Sequence, residues 1–226
     1  MKKKLIIKIG TSTLTAGTNR ISFAVIESLA RQIVELKKEF DIVIVSSGAI
    51  ATARQFVEIN GYHRNVDSKQ AMAAIGQTKL MELYDGIFRT FGLNIAQILL
   101  TYRDFENETA NENTRNTINK LWEVDYIPIV NENDTVSIEE IVLGDNDKLS
   151  ALVAVITAAD LLILVSDIDG VYTCNPHLHK EAELITEVTD LDSVAHCIEE
   201  KESTLGTGGM SSKVHAAEIC KKHGVE

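Results

Sequence analysis

KLIIKIGTS, residues 4–12, joins a short apolar run to a turn of small residues. The apolar run has the length of a β-strand and is interrupted by one charged residue, Lys8. It is too short for the apolar part of a signal peptide, and a Gly-Thr-Ser turn follows it directly. We therefore expect a first strand from Leu5 to Ile9 that leads into a tight loop.

Four further apolar runs of similar length recur along the chain, and we expect each to be a strand buried on both faces. They are Ile42 to Val45, Ile95 to Leu100, Ile127 to Val130 and Leu161 to Val165. Because proline is disfavoured inside a central strand, we place the start of the fourth strand at or just after Pro128.

Segments with helical spacing lie between these runs. The apolar residues Ile26, Leu29 and Ile33 fall on one helical face behind a candidate N-cap, Ser22. Residues 149–159 are apolar nearly all round, so that helix should lie between other elements. Strands and helices in alternation predict an α/β fold, a three-layer αβα sandwich with a mainly parallel central sheet. No linker or repeat divides the chain, so residues 1–226 are expected to form one domain.

The composition restricts the classes of partner. Acidic side chains, 33 against 22 basic ones, give a formal net charge of -11, which would repel nucleic acid. No run approaches the roughly 18 uninterrupted apolar residues of a membrane span. Three widely spaced cysteines without a CxxC pair fit a reducing compartment, so we expect a cytoplasmic protein without membrane or nucleic-acid partners.

The loops after the first two strands have the composition of phosphate-binding loops. In an open α/β sheet, ligands bind beyond the carboxyl ends of the strands. Gly10-Thr11-Ser12 follows the first strand and Ser46-Ser47-Gly48-Ala49 follows the second. Glycine lets backbone amides approach an anion closely, and Lys8 would add charge. Either loop alone is more often an ordinary tight turn; the two together favour an anion site.

Two segments rich in Asn and Asp follow, NENDTV at 131–136 and GDND at 144–147. Helix capping by Asn146 or Asp147 is the simplest explanation for the second segment. Capping does not explain the density of these residues, which favours a site for the ammonium and carboxylate of an amino acid, or for side chains that grip a phosphate.

The segment GTGGMSSK at 206–213 opens a helix, and its glycines and Lys213 are suited to a triphosphate. It is neither a Walker A motif nor a GxGxxG fingerprint, so a nicotinamide-dependent oxidoreductase is the last of the alternatives. His177 and His179 have no second cluster of soft ligands, and we expect no zinc site there.

Six motifs, in this order and spacing, resemble those of the glutamate 5-kinases, within the amino acid kinase family. They are KIGTS at 8–12, SSGAI at 46–50, NENDTV at 131–136, GDNDKLSAL at 144–152, VSDIDGVYTCNP at 165–176 and GTGGMSSK at 206–213. The resemblance extends along essentially the whole chain, including SKQAMAAIGQ at 68–77. It implies the amino acid kinase (carbamate kinase-like) fold, with an N-terminal part that binds the amino acid and a C-terminal part that binds ATP.

The resemblance also implies a reaction. The γ-phosphate of ATP would pass, with Mg²⁺, to the side-chain carboxylate of L-glutamate and give L-glutamyl 5-phosphate, the first step of proline biosynthesis. Family members are usually homo-oligomers, dimers or tetramers, inhibited by proline. The RNA-modification-type (PUA) domain that many carry at the C-terminus is not expected here.

Carried over position by position, the resemblance assigns three groups of residues. Lys8 and Lys213 would neutralise the transferring phosphoryl group, and Asp147 would position them. Glutamate would be held by Ser47, Gly48, Asp134 and Asn146. The ATP-binding residues would be Lys8, Ser166, Asp167, Thr207, Gly208, Gly209, Met210, Ser211, Ser212 and Lys213. We name no metal ligand, since magnesium would be held mainly by the nucleotide phosphates.

The chemistry agrees with this assignment. A carboxylate acceptor is ionised at neutral pH, so no general base is needed. Two alternatives stay open: a sister kinase that acts on aspartate, N-acetylglutamate or a nucleoside monophosphate, and a catalytically silent amino acid sensor that has kept the fold.

Overall fold

The computed structural model describes residues 2–58, 65–137, 146–174, 176, 179–189 and 209–226. Its strands are β1 (Lys3–Ile9), β2 (Phe40–Ser46), β3 (Asn94–Leu100), β4 (Tyr126–Glu132), β5 (Leu161–Val165), β6 (Val171–Tyr172) and β7 (Leu184–Ile185). Its helices are α1 (Thr11–Thr15), α2 (Phe23–Leu36), α3 (Ala49–Ala53), α4 (Val66–Thr90), α5 (Tyr102–Glu106), α6 (Glu108–Glu123), α7 (Asn146–Thr157) and α8 (Met210–Lys222).

Five parallel strands form the central sheet in the order β3-β4-β2-β1-β5. β6 and β7 form a separate antiparallel pair. Because all five strands of the main sheet run the same way, their carboxyl ends meet at one edge, and the loops after β1, β2 and β4 come together there. The expected mainly parallel α/β sheet is confirmed.

The alternation of side chains along β1 distributes its residues between two layers of helices. Leu5, Ile7 and Ile9 pack into an apolar cluster with α1, α2 and α4. On the opposite face, Ile6 belongs to a second cluster with α6, α7 and α8. Lys8 has the same parity as Ile6, so the sequence of β1 directs this lysine toward α7 and α8.

Helix α7 lies along the second face of the sheet, antiparallel to β1. The Lys4 ammonium donates to the backbone oxygen of Thr157 at the end of α7, and Lys8 contacts Asp147 at its beginning. No residue of α7 is exposed, which confirms that this helix lies between other elements. The N-terminus of α7 is thereby fixed at the carboxyl end of β1.

Three expectations about local structure had different outcomes. The N-cap at Ser22 is confirmed, because its hydroxyl accepts from the N–H of Val25. Burial of every strand on both faces is wrong for β3 and β5, which are only partly buried because they are the edges of this sheet. The start of β4 is also misplaced. This strand begins at Tyr126, and it pairs with β2 only from Ile129 onwards, so the N–H that Pro128 lacks lies outside that shared ladder.

None of the helices in the described part of the chain is long and apolar enough to cross a bilayer.

Candidate active site

One buried carboxylate joins two lysines from distant parts of the chain. Asp147 Oδ1 lies 2.5 Å from Lys8 Nζ, and Asp147 Oδ2 lies 3.1 Å from Lys213 Nζ. The Ser212 hydroxyl donates to Oδ2 at 2.7 Å. The Asp147 side chain has no exposed surface, whereas Lys213 keeps 19% of its side chain exposed. Two cations share one anion, so this cluster carries a net positive charge.

Three elements bring these groups together. Lys8 is the penultimate residue of β1, Asp147 lies in the first turn of α7, and Lys213 lies in the first turn of α8. Burial alone would raise the pKa of Asp147. The charges of Lys8 and Lys213, with hydrogen bonds from Lys8 and Ser212, more than offset that effect and hold the pKa below its usual range. Asp147 is therefore ionised at neutral pH.

A chain of buried amides begins next to Asp147. Asn146 Nδ2 donates to Ser47 Oγ at 2.8 Å and to Asn131 Oδ1 at 3.0 Å. Asn131 Nδ2 in turn donates to Gln77 Oε1, on α4, at 2.8 Å. We call Ser47, Asn146, Asn131 and Gln77 the amide chain; it joins the loop after β2 to α7, β4 and α4.

Glycines shape the floor beside the amide chain. Gly48 has φ +103°, in the region that favours glycine, and it precedes α3. Gly76 of α4 lies against the backbone of α3, and a Cβ on it would be 1.7 Å from the Ala49 carbonyl oxygen. The loop that carries Ser47 and Gly48 is therefore held by a backbone-to-backbone contact between α3 and α4.

A second acidic group lies just beyond β4. Asp134 and Glu132 are both buried, and the Ser137 hydroxyl donates to Glu132. Burial, followed by the negative charge of Glu132, raises the pKa of Asp134 to about 7. In the absence of a cation, the Asp134 carboxyl is thus partly protonated at neutral pH.

Lys8, Asp147 and Lys213 form what we call the lysine cluster. A largely apolar cavity of about 320 Å³ adjoins this cluster at Lys213. Side chains from β5, β6 and α8 line it, among them Leu164, Val171 and Val214. Ser166, Met210 and Lys213 are at the same cavity. Asp167 does not line it but accepts a hydrogen bond from the Ser166 hydroxyl at 3.3 Å.

The structure brings most of the sequence-predicted site residues to this edge of the sheet. Gly209 precedes α8, and Ser211 is exposed without a described contact. Thr207 and Gly208 lie outside the described residues, as do Gly144 and Asp145 of the acidic motif. The buried residues of α8 are Val214, Ala216 and Cys220.

The sequence interpretation gave no individual role to Gln77, Asn131, Gly76 or Glu132, although Asn131 and Glu132 belong to the NENDTV segment that it placed at a ligand site. The importance of Gln77 could have been inferred from the sequence. Gln77, Leu80 and Tyr84 share one buried helical face, and a glutamine on such a face needs a buried hydrogen-bond partner. Gly76 inside a long helix also indicates a close packing contact. The identity of the partners, in contrast, depends on tertiary contacts that spacing does not reveal.

No group of three or more His, Cys, Asp or Glu side chains suited to a metal ion occurs among the residues that the structure describes. Both oxygens of Asp147 are already engaged by lysine and serine. The cluster therefore presents positive charge to a ligand, which suits an anion such as a phosphate.

Comparison with known proteins agrees with this architecture. The model of the amino acid kinase family matches residues 3–226. The crystal structure of UMP kinase from Ureaplasma parvum superposes with a TM-score of 0.64 at 17% identity, covering 100% of this chain and 88% of that one. At this identity the likeness concerns the fold alone.

Curated relatives carry the name glutamate 5-kinase. That of Vibrio vulnificus (strain YJ016) is 44% identical over 226 residues, 99% of this chain and 60% of the relative. That of Dehalococcoides mccartyi (strain CBDB1) is 46% identical, over 99% of this chain and 61% of the relative. The protein of Clostridium tetani (strain Massachusetts / E88) is 41% identical, over 99% and 84%. The chain thus spans about 60% of the length of the first two relatives.

The fold, the lysine cluster and these comparisons lead to one assignment: the chain belongs to the amino acid kinase family.

Proposed function

We propose that the chain transfers the γ-phosphoryl group of ATP to the γ-carboxylate of L-glutamate and forms L-glutamyl 5-phosphate and ADP. The observation that carries the proposal is the position of Asp147. Its neighbour Asn146 belongs to the amide chain, and its partner Lys213 lines the apolar cavity. The relatives named glutamate 5-kinase support the choice of acceptor.

In this reaction a carboxylate oxygen of glutamate attacks the γ-phosphorus, and the bond from the γ-phosphorus to the β–γ bridging oxygen breaks. Both reactants are anions, so the barrier is mainly one of charge and approach. Lys8 and Lys213 neutralise the transferring group, and Asp147 holds the two ammonium groups in place. The acceptor is already ionised, so no base has to remove a proton.

The nucleotide would place its base in the apolar cavity and its phosphates at the N-terminus of α8. Ser166, Asp167, Gly209, Met210, Ser211 and Ser212 belong to this subsite in the proposal, together with Thr207, Gly208 and the two lysines. Helix N-termini favour anions because their first N–H groups have no partner within the helix.

The acceptor would lie on the floor formed by Ser47 and Gly48, with Asn146 and Asp134 at its sides. Two buried carboxylates, Asp134 and Glu132, give this subsite a negative charge that suits an ammonium group. The N-terminal part of the domain would thus bind the amino acid and the C-terminal part would bind ATP.

Magnesium would enter with the nucleotide, which fits a cluster whose carboxylate is already saturated by lysine and serine. When bound, it shields the charge of the phosphate oxygens. In the same proposal the chain acts in the cytoplasm at the first step of proline biosynthesis, assembles as a homo-oligomer and is inhibited by proline.

The test is ADP release with magnesium-ATP and a panel of acceptors, with any acyl phosphate trapped by hydroxylamine. We expect hydroxamate that depends on L-glutamate, and no signal with aspartate, N-acetylglutamate or UMP. Turnover with another acceptor would contradict the substrate. ATP binding without turnover for any acceptor would contradict the reaction and favour a silent sensor.

A further inference from the structure

The direction of every hydrogen bond in the amide chain is fixed by one backbone group. The N–H of Glu132 can only donate, and it donates to Asn131 Oδ1 at 2.9 Å. Asn131 must then point its Nδ2 toward Gln77, where it finds Oε1 at 2.8 Å. The atom of Asn146 that meets Asn131 Oδ1 must be a donor, Nδ2. The strand backbone therefore selects the direction of each hydrogen bond, and Gln77 Oε1 supplies the acceptor that Asn131 Nδ2 needs in this orientation.

Among the amides of this chain of hydrogen bonds, the orientation leaves the Asn146 oxygen unpaired within the described residues. Asn146 Nδ2 is taken by Asn131 and Ser47, whereas no described residue hydrogen-bonds Asn146 Oδ1, although that atom is buried. A buried acceptor without a donor destabilises the protein unless a ligand or an ordered water completes it. Glutamate at neutral pH carries two carboxylates and only one donor group, its α-ammonium. An oxygen such as Asn146 Oδ1 can bind glutamate only through that ammonium.

We propose that Gln77 is a positioning residue for the acceptor: through Asn131 it holds the Asn146 amide so that its oxygen faces the α-ammonium of the substrate. The proposal rests on the proposed function. In this proposal Gln77 acts through Asn131 and Asn146 and not by contact with the substrate. Its Oε1 satisfies Asn131 Nδ2, and without that acceptor Asn131 would keep a buried donor unpaired and would be drawn away from Asn146.

The contacts of Gln77 indicate that it acts through its hydrogen bond to Asn131 and does not only fill space in the core. Its side chain is 9% exposed, and its Nε2 has no hydrogen-bond partner among the described residues, so its one described hydrogen bond is the one to Asn131. A glutamine that only filled space on α4 would need no such contact, and the neighbouring buried position Leu80 is filled by an apolar side chain.

The test compares Gln77→Met with wild type on two ligands that differ only in the ammonium group. Methionine is similar in length, but its thioether sulfur is a much weaker hydrogen-bond acceptor than an amide oxygen. We expect the KM for L-glutamate to rise about tenfold or more, as for the loss of a hydrogen bond to a charged group. The KM for ATP, and the affinity for glutarate measured as a substrate or competitive inhibitor, should change by no more than about twofold. An unchanged glutamate KM, or equal losses for glutamate and glutarate, would overturn the role of Gln77.

Two further variants keep the test decisive. Gln77→Glu retains an oxygen for Asn131 and should preserve the preference for glutamate over glutarate; loss of that preference would contradict the proposal even if Gln77→Met did not fold. Leu80→Val disturbs the same face of α4 without touching the amide chain, and it should lower the melting temperature but leave the glutamate KM unchanged. A wild-type protein that does not turn over glutamate would contradict the proposed function instead.

Discussion

At the scale of single residues, the centre of the site is the ion pair network of Asp147. A carboxylate without exposed surface is stable only when its charge is compensated, and two lysines and a serine do so here. Each lysine is fixed by that contact before any ligand binds. The charge that a phosphoryl group would meet is therefore already in place, which is the arrangement that lowers a barrier most effectively.

Replacing either lysine tests this arrangement. We expect Lys8→Ala and Lys213→Ala to lower kcat by about a hundredfold or more, with a smaller effect on the KM for glutamate, because each removes a charge at the transferring group. Lys148→Ala is the matched control. It removes the same charge next to Asp147, from a side chain that lies over the Tyr102 ring. Steady-state kinetics of the three variants measure these effects. Equal losses of kcat in all three would contradict specific roles for Lys8 and Lys213.

The raised pKa of Asp134, about 7, makes the stability of the unliganded protein depend on pH. Between about pH 4 and pH 7 the folded chain retains a proton that the unfolded chain has released. The contribution of Asp134 to the free energy of unfolding therefore falls as pH rises through this window. Above it, Asp134 is charged and unfavourably placed beside Glu132.

Asp134→Asn should remove that penalty. We expect the variant to melt close to wild type at about pH 4 and well above wild type at about pH 8, where its free energy of unfolding should be higher by a few kcal/mol. Thermal melts of the unliganded proteins across pH measure it. Glu35→Gln, at an exposed position, should show no such trend. If the difference in melting temperature between the variant and wild type shrinks as the pH rises, the raised pKa of Asp134 is contradicted.

At the scale of elements, α4 organises the acceptor side of the site. Two adjacent residues of α4, Gly76 and Gln77, have different structural roles. Gly76 lets the backbone of α3 approach, and Gln77 ends the amide chain. The three atoms nearest to a Cβ on Gly76 would be backbone atoms of Ala49 and Ala53, which no change of rotamer can move. The position of α3, and of the loop before it, depends on a missing side chain.

Gly76→Ala should therefore force α3 and α4 apart. We expect a loss of roughly 1–3 kcal/mol in the free energy of unfolding and a higher KM for glutamate. Gly86→Ala, in the same helix, is the control, since a Cβ there meets nothing within 4 Å. It should stabilise the protein by up to about 1 kcal/mol through helix propensity alone. Denaturant unfolding of the two variants compares them, and equal effects would refute the close contact.

The elements were largely predictable from the sequence, whereas the contacts among them were not. Apolar runs and helical spacing gave β1, β2, α2 and α7, because burial imposes those periods directly on the chain. Spacing could not distinguish the edge strands from the central ones. Motifs indicated Lys8, Asp147 and Lys213 as members of one site. Gln77, the partner of Asn131 on α4, remained hidden, because the two residues meet only after the sheet and the helix pack together.

At the scale of the whole molecule, a positive cluster lies within a strongly acidic chain. The formal net charge is -11, and the segment from Asp104 to Asp147 is especially rich in carboxylates. Like charges on the surface repel one another and oppose compact folding. The lysine cluster is buried and is therefore screened far less by salt than the surface is.

Salt should therefore stabilise the fold at neutral pH. We expect the melting temperature to rise between about 0.01 M and 0.15 M NaCl, as the Debye length falls from about 30 Å to about 8 Å. The effect should be the same with KCl, and it should vanish near pH 5, close to the isoelectric point of 5.0. A melting temperature that is constant or falls with salt at pH 7.5 would contradict the role of surface repulsion.

The sharing of one carboxylate by two lysines also bears on the release of product in the proposed reaction. Two uncompensated ammonium groups in a partly buried position would hold ADP strongly, and each turnover would then wait for product to leave. Asp147 cancels one of these charges permanently. In the proposed reaction, the contact that arranges the lysines for transfer would also shorten the dwell time of ADP, so that one side chain would affect both the rate of transfer and the rate of release.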